Sequence, residues 1–194
     1  MNKFILIFVL TITISNKAFS SESVFPDRWN YLEISRVEVD LERGGNLNGY
    51  GVDAKFSLNN IFYLSGTYQD YSSSDIADVN RYLFGFGARY EINKLLTPYA
   101  QIEHVTVDST RRYSNTSVNL NYWMLGAGIS GVTNGFGYKL AITHYEAISD
   151  TLDNYSGYYA EIYYAINKKA SLGMEVEHQN DSGDVYSYAF RYHY

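Results

Sequence analysis

The sequence predicts an all-β fold, an antiparallel up-and-down transmembrane barrel of ten strands with its apolar side chains turned outward to lipid. Three observations carry this. Runs of about ten residues alternate between apolar or aromatic and small or polar residues, which is the period of a strand. Tight turns rich in Asn alternate along the chain with longer polar loops. Finally, the 194 residues include 21 Tyr but only 2 Pro and no Cys. Abundant Tyr suits a sheet at a membrane–water boundary, where the ring sits in lipid and the hydroxyl among headgroups. If such a chain spans a membrane with strands, the sheet must close so that no backbone group stays unpaired. Eight strands are the alternative count.

From the beginning, Met1 to about Ser20 reads as a secretory signal peptide. Lys3 supplies the positive start, residues 4–14 the apolar stretch, and Ala18 and Ser20 the small residues that a cleavage enzyme inspects. The apolar stretch is short of the ~20 residues that cross a bilayer as a helix. Residues 21–194 then form a single barrel domain. No Cys follows the apolar stretch, so a lipid-anchored form, disulfides and thiol chemistry are all excluded. Without Lys3 and Lys17, 13 basic residues stand against 21 acidic ones, a net charge near −8. That excludes the basic face a nucleic-acid partner would want.

Four tight turns recur, at Asn59-Asn60, Asn93-Lys94, Thr133-Asn134-Gly135 and Asn167-Lys168-Lys169. Asn and Gly accept the positive φ of hairpin turns. In three of them an apolar residue precedes the Asn: Leu58, Ile92 and Ile166. Between them lie polar loops at residues 42–48, 72–78, 109–117, 149–154 and 180–184. Five loops and four turns give ten strands with both ends on the short-turn side, the layout of bacterial outer-membrane barrels.

Outward faces follow from the alternation. In the second strand Tyr50, Val52, Ala54, Phe56 and Leu58 alternate with Gly51, Asp53, Lys55 and Ser57. In the fourth, Tyr82, Phe84, Phe86, Ala88 and Tyr90 alternate with Arg81, Gly85, Gly87, Arg89 and Glu91. The seventh, eighth and ninth strands repeat the pattern, with Lys139, Glu161, Glu175 and Glu177 on their polar faces. The first, third, fifth and sixth are less clean. Arg36 and Glu38 fall on the lipid face of the first, which is therefore expected to be short or bulged. A soluble periplasmic barrel around an apolar ligand would show the same period with its faces exchanged. Aromatic residues at both ends of the apolar faces favour lipid. Tyr82 and Tyr90, eight residues apart on a strand tilted about 40°, lie roughly 20 Å apart along the membrane normal and match the apolar band of a membrane barrel.

The last strand, VYSYAFRYHY, places Tyr186, Tyr188, Phe190, Tyr192 and Tyr194 on one face. This ending resembles the C-terminal assembly signal of Gram-negative outer-membrane barrels. Ser187, Tyr192 and Tyr194 fit its pattern, while Ala189 stands where the family prefers Gly. Over nearly its whole length the chain resembles small opacity-porin-like and OmpA/OmpX-like barrels. That resemblance implies outer-membrane lipid, lipopolysaccharide and the outer-membrane assembly machinery as partners.

Nothing in the sequence assembles a catalytic, cofactor or metal site. His104, His144, His178 and His193 lie in four different strands, without a metal-binding or nucleophile motif. No His-x-Ser, the pair used by outer-membrane lipid A deacylases, occurs. The inward charges are Asp53, Lys55, Arg81, Arg89, Glu91, Glu103, Lys139, Glu161, Glu175, Glu177 and Arg191. They read as a paired network that fills a narrow lumen, with Arg191 lying across to Glu175. Lys139 and Arg89 are the candidates for Glu177. Tyr63, Tyr99, Tyr159 and Tyr163 fill the same space. A lining for an ion-selective channel is the alternative. Arg111 and Arg112 beside Tyr113 offer a contact for an anionic surface glycan. The expected role is structural or adhesin-like at the cell surface, with any host or surface ligand unspecified by the sequence.

Overall fold

The computed structural model describes residues 28–41, 45–112, 114, 116–149, 152–180 and 183–194. The expected signal peptide lies outside the described residues. Ten strands follow one another: β1 (Tyr31–Leu41), β2 (Asn46–Ser57), β3 (Phe62–Ser72), β4 (Ala77–Arg89) and β5 (Thr97–Arg111). Then come β6 (Thr116–Thr133), β7 (Phe136–Ala147), β8 (Tyr155–Asn167), β9 (Ala170–Gln179) and β10 (Gly183–His193). Each pairs antiparallel with its neighbours, and β1 pairs with β10 from Tyr31↔His193 to Leu41↔Gly183. The sheet is therefore a closed barrel of ten strands.

The short turns owe their shape to the residues singled out in the sequence. Asn59 Oδ1 accepts from the N–H groups of Ile61 and Phe62, both at 2.8 Å. Asn93 Oδ1 accepts from Leu95 N–H and Asn167 Oδ1 from Lys169 N–H, each at 2.8 Å. Three of the turns thus share one device, an Asn side chain that mimics a backbone turn. Between β6 and β7, Asn134 (φ 45°) and Gly135 (φ 84°) both take positive φ, as a two-residue hairpin requires.

At the other end four of the five hairpins are tighter than expected, while β7 and β8 part earlier, their ladder ending at Tyr145↔Tyr155. β5 and β6 run to Arg111↔Thr116, so most of the expected loop 109–117 is ladder. β1 is neither short nor bulged: all 11 of its residues pair with β10 and Tyr31–Asp40 pair with β2, without a shift. Arg36 and Glu38 do point outward, and they form an ion pair with each other at 3.2 Å.

The reason lies in how the faces change along the barrel. Toward the turn end outward positions are apolar, with Ile34, Phe84, Leu125, Ile142, Leu172 and Phe190 all exposed. Tyr50, Tyr68, Tyr82, Trp123 and Tyr158 mark the loop-side limit of this belt, and Tyr90, Tyr164, Tyr192 and Tyr194 its turn-side limit. Beyond the loop-side limit the two faces exchange character. Outward stand Arg36, Asn48, Asp70, Asn80, Asp108 and Asn119, while Val37, Val39, Leu47, Tyr71, Val79 and Val185 are packed inward. A second inward cluster of Val105, Tyr122, Met124 and Tyr145 continues it. The first strand looked irregular because it crosses this boundary.

Candidate functional site

Among the described residues, the buried charged side chains of the strands gather in the lumen. Its turn-side mouth is filled by the segment leading into β1. Ser57 N–H donates to Asn30 Oδ1 at 2.7 Å and its hydroxyl to the Trp29 carbonyl at 3.3 Å, which anchors that segment to β2. Trp29 is buried, its ring 4.7 Å from Tyr63 and 5.5 Å from Tyr99. Arg89, Lys139 and Lys55 sit 5.0, 5.5 and 5.7 Å from the same ring, within reach of cation–π attraction. Arg28 donates to Thr97 Oγ1 at 3.2 Å and lies 3.7 Å from Glu91.

Deeper, Arg191 projects from β10 over the Tyr31 ring at 3.9 Å. Its Nη2 lies 2.6 Å from Glu33 Oε2, and its Nε donates to the same oxygen at 2.8 Å. Its Nη1 approaches Glu161 Oε1 at 2.7 Å, an ion-pair contact out of line for a hydrogen bond. Lys139 donates to the other Glu161 oxygen at 3.1 Å. The Tyr159 hydroxyl lies between two carboxyl groups, 2.6 Å from a Glu161 oxygen, to which it donates, and 3.1 Å from Glu175. Across the barrel Ser65 donates to Glu103 and Thr67 to Asp53, both at 2.5 Å.

Nearest the loop end, Arg81 of β4 reaches across the lumen to Glu177 of β9, with contacts of 3.0 and 3.3 Å. This two-pronged geometry suits the planar guanidinium. Tyr145 and Gln179 also donate to Glu177. A cavity of about 90 Å³ remains between these layers, lined in part by Glu33, Asp53, Lys55, Glu103 and Glu175. That is room for a handful of waters at ~10–15 Å³ each by this measure. Beyond Arg81 the inward apolar clusters occupy the loop end.

Several expected positions change. Arg191 stands opposite Ser171, and Glu175 opposite Ser187, so the expected Arg191–Glu175 pair does not form. The β9–β10 hairpin closes at Gln179↔Gly183, one ladder step tighter than assumed. A slip of two residues keeps every side chain on its face and changes every partner. Glu177 is taken by Arg81 rather than by Lys139 or Arg89. Arg89 lies at the turn-side rim, where its guanidinium donates to the carbonyls of Asn59 and Asn60. Glu91 falls outside β4, more than half exposed, because the turn begins before it. The sequence reading missed Glu33, Tyr31, Trp29 and Arg28. Alternation with the outward Leu32 and Ile34 was the available signal for Glu33 and Tyr31.

Elsewhere, Ser187 and Ala189 of the last strand face inward and Tyr192 and Tyr194 outward. Arg112 pairs with Asp78 at 2.6 Å at the β5–β6 tip, and Tyr113 lies outside the described residues. The histidines occupy four separate settings: His104 against Trp123, His144 on Ser156, His178 on Asp184, and His193 on Ser171.

Tyrosines and glycines are fitted to one another in this lumen. Tyr163 stands opposite Gly137, and Tyr63 opposite Gly87. A Cβ at Gly137 would sit 2.1 Å from the Tyr163 ring. Gly137→Ala is expected to displace that ring and cost about 1–3 kcal/mol. Urea unfolding in lipid vesicles measures it, and Ala141→Gly on the same face is the comparison.

The fold and its faces define a closed, ten-stranded β-barrel with an apolar belt outside and a charged lumen within. No protein-family model matches the sequence, and no curated protein matches it. Among solved structures, the N-terminal β-barrel domain of Pseudomonas aeruginosa OprF aligns at 14% identity and a TM-score of 0.47, covering 84% of this chain and 98% of that one. The KdgM porin, solved with disordered oligogalacturonate, aligns at 12% and 0.48, covering 84% and 99%. The NanC porin aligns at 10% and 0.48, covering 84% and 100%.

Proposed function

We propose that this protein is an integral outer-membrane barrel, exported by its N-terminal signal, that acts at its loop-end surface. In this reading it is a structural or surface-contact protein, neither conduit nor catalyst. The observation that carries it is the exchange of faces at a single level of the barrel wall. A soluble barrel keeps its apolar side inward throughout, and a purely membrane-embedded one keeps it outward. A wall that leaves lipid and enters water must switch, and the belt of Tyr and Trp at the switch suits the headgroup region. The paired charges inside and the apolar packing at the loop end support a closed lumen. Lipid, lipopolysaccharide and the assembly machinery reading the last strand are the partners this role implies.

The test combines location with conduction. The membrane fraction should contain a heat-modifiable species on gels, and the purified protein should give no steady current in planar bilayers. Trp29→Ala should stay non-conducting, because the loop-end packing remains. Stable channels of one size would make it a porin, and recovery in the soluble periplasmic fraction would overturn the membrane assignment.

A further inference from the structure

We infer that residues 116–121 of β6 form a docking edge that takes an extended peptide segment of another protein as an added strand. The ladder between β6 and β7 ends at Tyr122↔Ala147, whereas β6 pairs with β5 as far as Thr116↔Arg111. Among the described residues this is the stretch where a strand runs on with a partner on one side only. The loop after β7 covers its lower end, with Ile148 N–H donating to the Asn121 carbonyl at 3.0 Å. That bond fixes the direction in which main-chain groups point. Asn121 faces the open side, so Asn119 and Ser117 present their N–H and C=O groups there too.

An open row of donors and acceptors at strand spacing is complementary to another extended backbone. Proteins usually blunt such an edge with charge, proline or a bulge. Here the sequence is Thr-Ser-Val-Asn-Leu-Asn, with no charge and no proline. Nor does the register of β6 on β5 shift anywhere along it. The side chains narrow the partner further. Val118 and Leu120 lie on the inward side, with Leu120 packed against the Tyr122 and Tyr145 cluster. Ser117 and Asn119 lie on the outward side, where the Asn119 amide donates to Asp108 at 2.5 Å. The matching segment therefore alternates apolar with small polar residues. A second copy fits less well. Two barrels upright in one membrane, related by a two-fold axis along its normal, would bring their tilted edges together crossed rather than aligned.

The test uses the full barrel in detergent micelles and a short, end-capped peptide of alternating threonine and valine. Saturable binding is expected, with slowed amide exchange at Ser117 and Asn119. Asn119→Pro removes an edge donor without touching the β5 ladder and should weaken binding about tenfold or more. Asn119→Ala should bind as the parent does. A peptide N-methylated on its pairing edge should fail against the unmodified barrel, so the outcome does not depend on how any variant folds. Absence of saturable binding, equal binding by Asn119→Pro, or protection elsewhere would overturn the inference. So would edge protection that rises with protein concentration alone, which would mark a contact between copies.

Discussion

Arg191→Ala should cost about 3–5 kcal/mol of unfolding free energy in lipid vesicles, among the largest losses expected for any single truncation in this barrel. The guanidinium is buried over Tyr31 and touches both Glu33 and Glu161. Removing it leaves Glu33 without a cation in contact among the described residues, and Glu161 with Lys139 and the Tyr159 hydroxyl. The cost is that of stranding a buried charge, so neutralising the partner should recover much of it. Arg191→Met combined with Glu33→Gln is expected to be clearly more stable than Arg191→Met by itself. Coupling between Arg191 and Glu33 should fall in the range of about 0.5–3 kcal/mol found for contacting residues. Arg191 with Glu175 should show little, since Glu175 is held by Tyr159. Urea titrations of the four members of each cycle decide it. Additive losses for Arg191 and Glu33 would show that the pair is not the source of the stability.

Placing arginine on the outer wall should reveal the level at which the wall leaves lipid. Phe84 and Ile142 are the most exposed apolar side chains of the mid-belt, at 67% and 69%. Phe84→Arg or Ile142→Arg should reduce folding into vesicles by about 2–4 kcal/mol, the cost of a cation near the bilayer midplane. Asn48→Arg lies on the same outer wall beyond the switch of faces, opposite Glu38. It should cost about 0–1 kcal/mol, as near an interface. The gradient with position is the informative quantity. A soluble barrel would give the reverse, since arginine at Phe84 would then cover an exposed apolar patch and improve solubility.

Strand number, hairpin order and the facing of the second, fourth, seventh, eighth, ninth and tenth strands were legible in the sequence. Those features rest on local chemistry: a period of two, and an Asn that folds back on the next turn of chain. Arg36 and Glu38 point outward as the alternation predicts, and they look like a defect only if one phase of alternation holds for the whole wall. The pattern is clean on both sides of the boundary, with Leu32 and Ile34 outward below it and Val37 and Val39 inward above it. Pairing in the lumen was less legible. Whether Arg191 meets Glu175 or Glu33 depends on how tightly one hairpin closes and on which strands meet when the sheet wraps around. The contact of Arg81 with Glu177 spans the barrel between strands that are not neighbours, and no spacing in the chain encodes it.

The pairing of β1 with β10 bears on the order in which this molecule can be made. The other nine pairings join strands adjacent in sequence and can begin as local hairpins. The last one joins Tyr31 to His193, and it sets Glu33 directly opposite Arg191. Until it forms, two strand edges stay open and both members of that ion pair lack each other. An unfinished chain therefore has no stable resting form in hydrocarbon, where open edges are intolerable. Insertion and closure must be one event, timed by the arrival of the final strand.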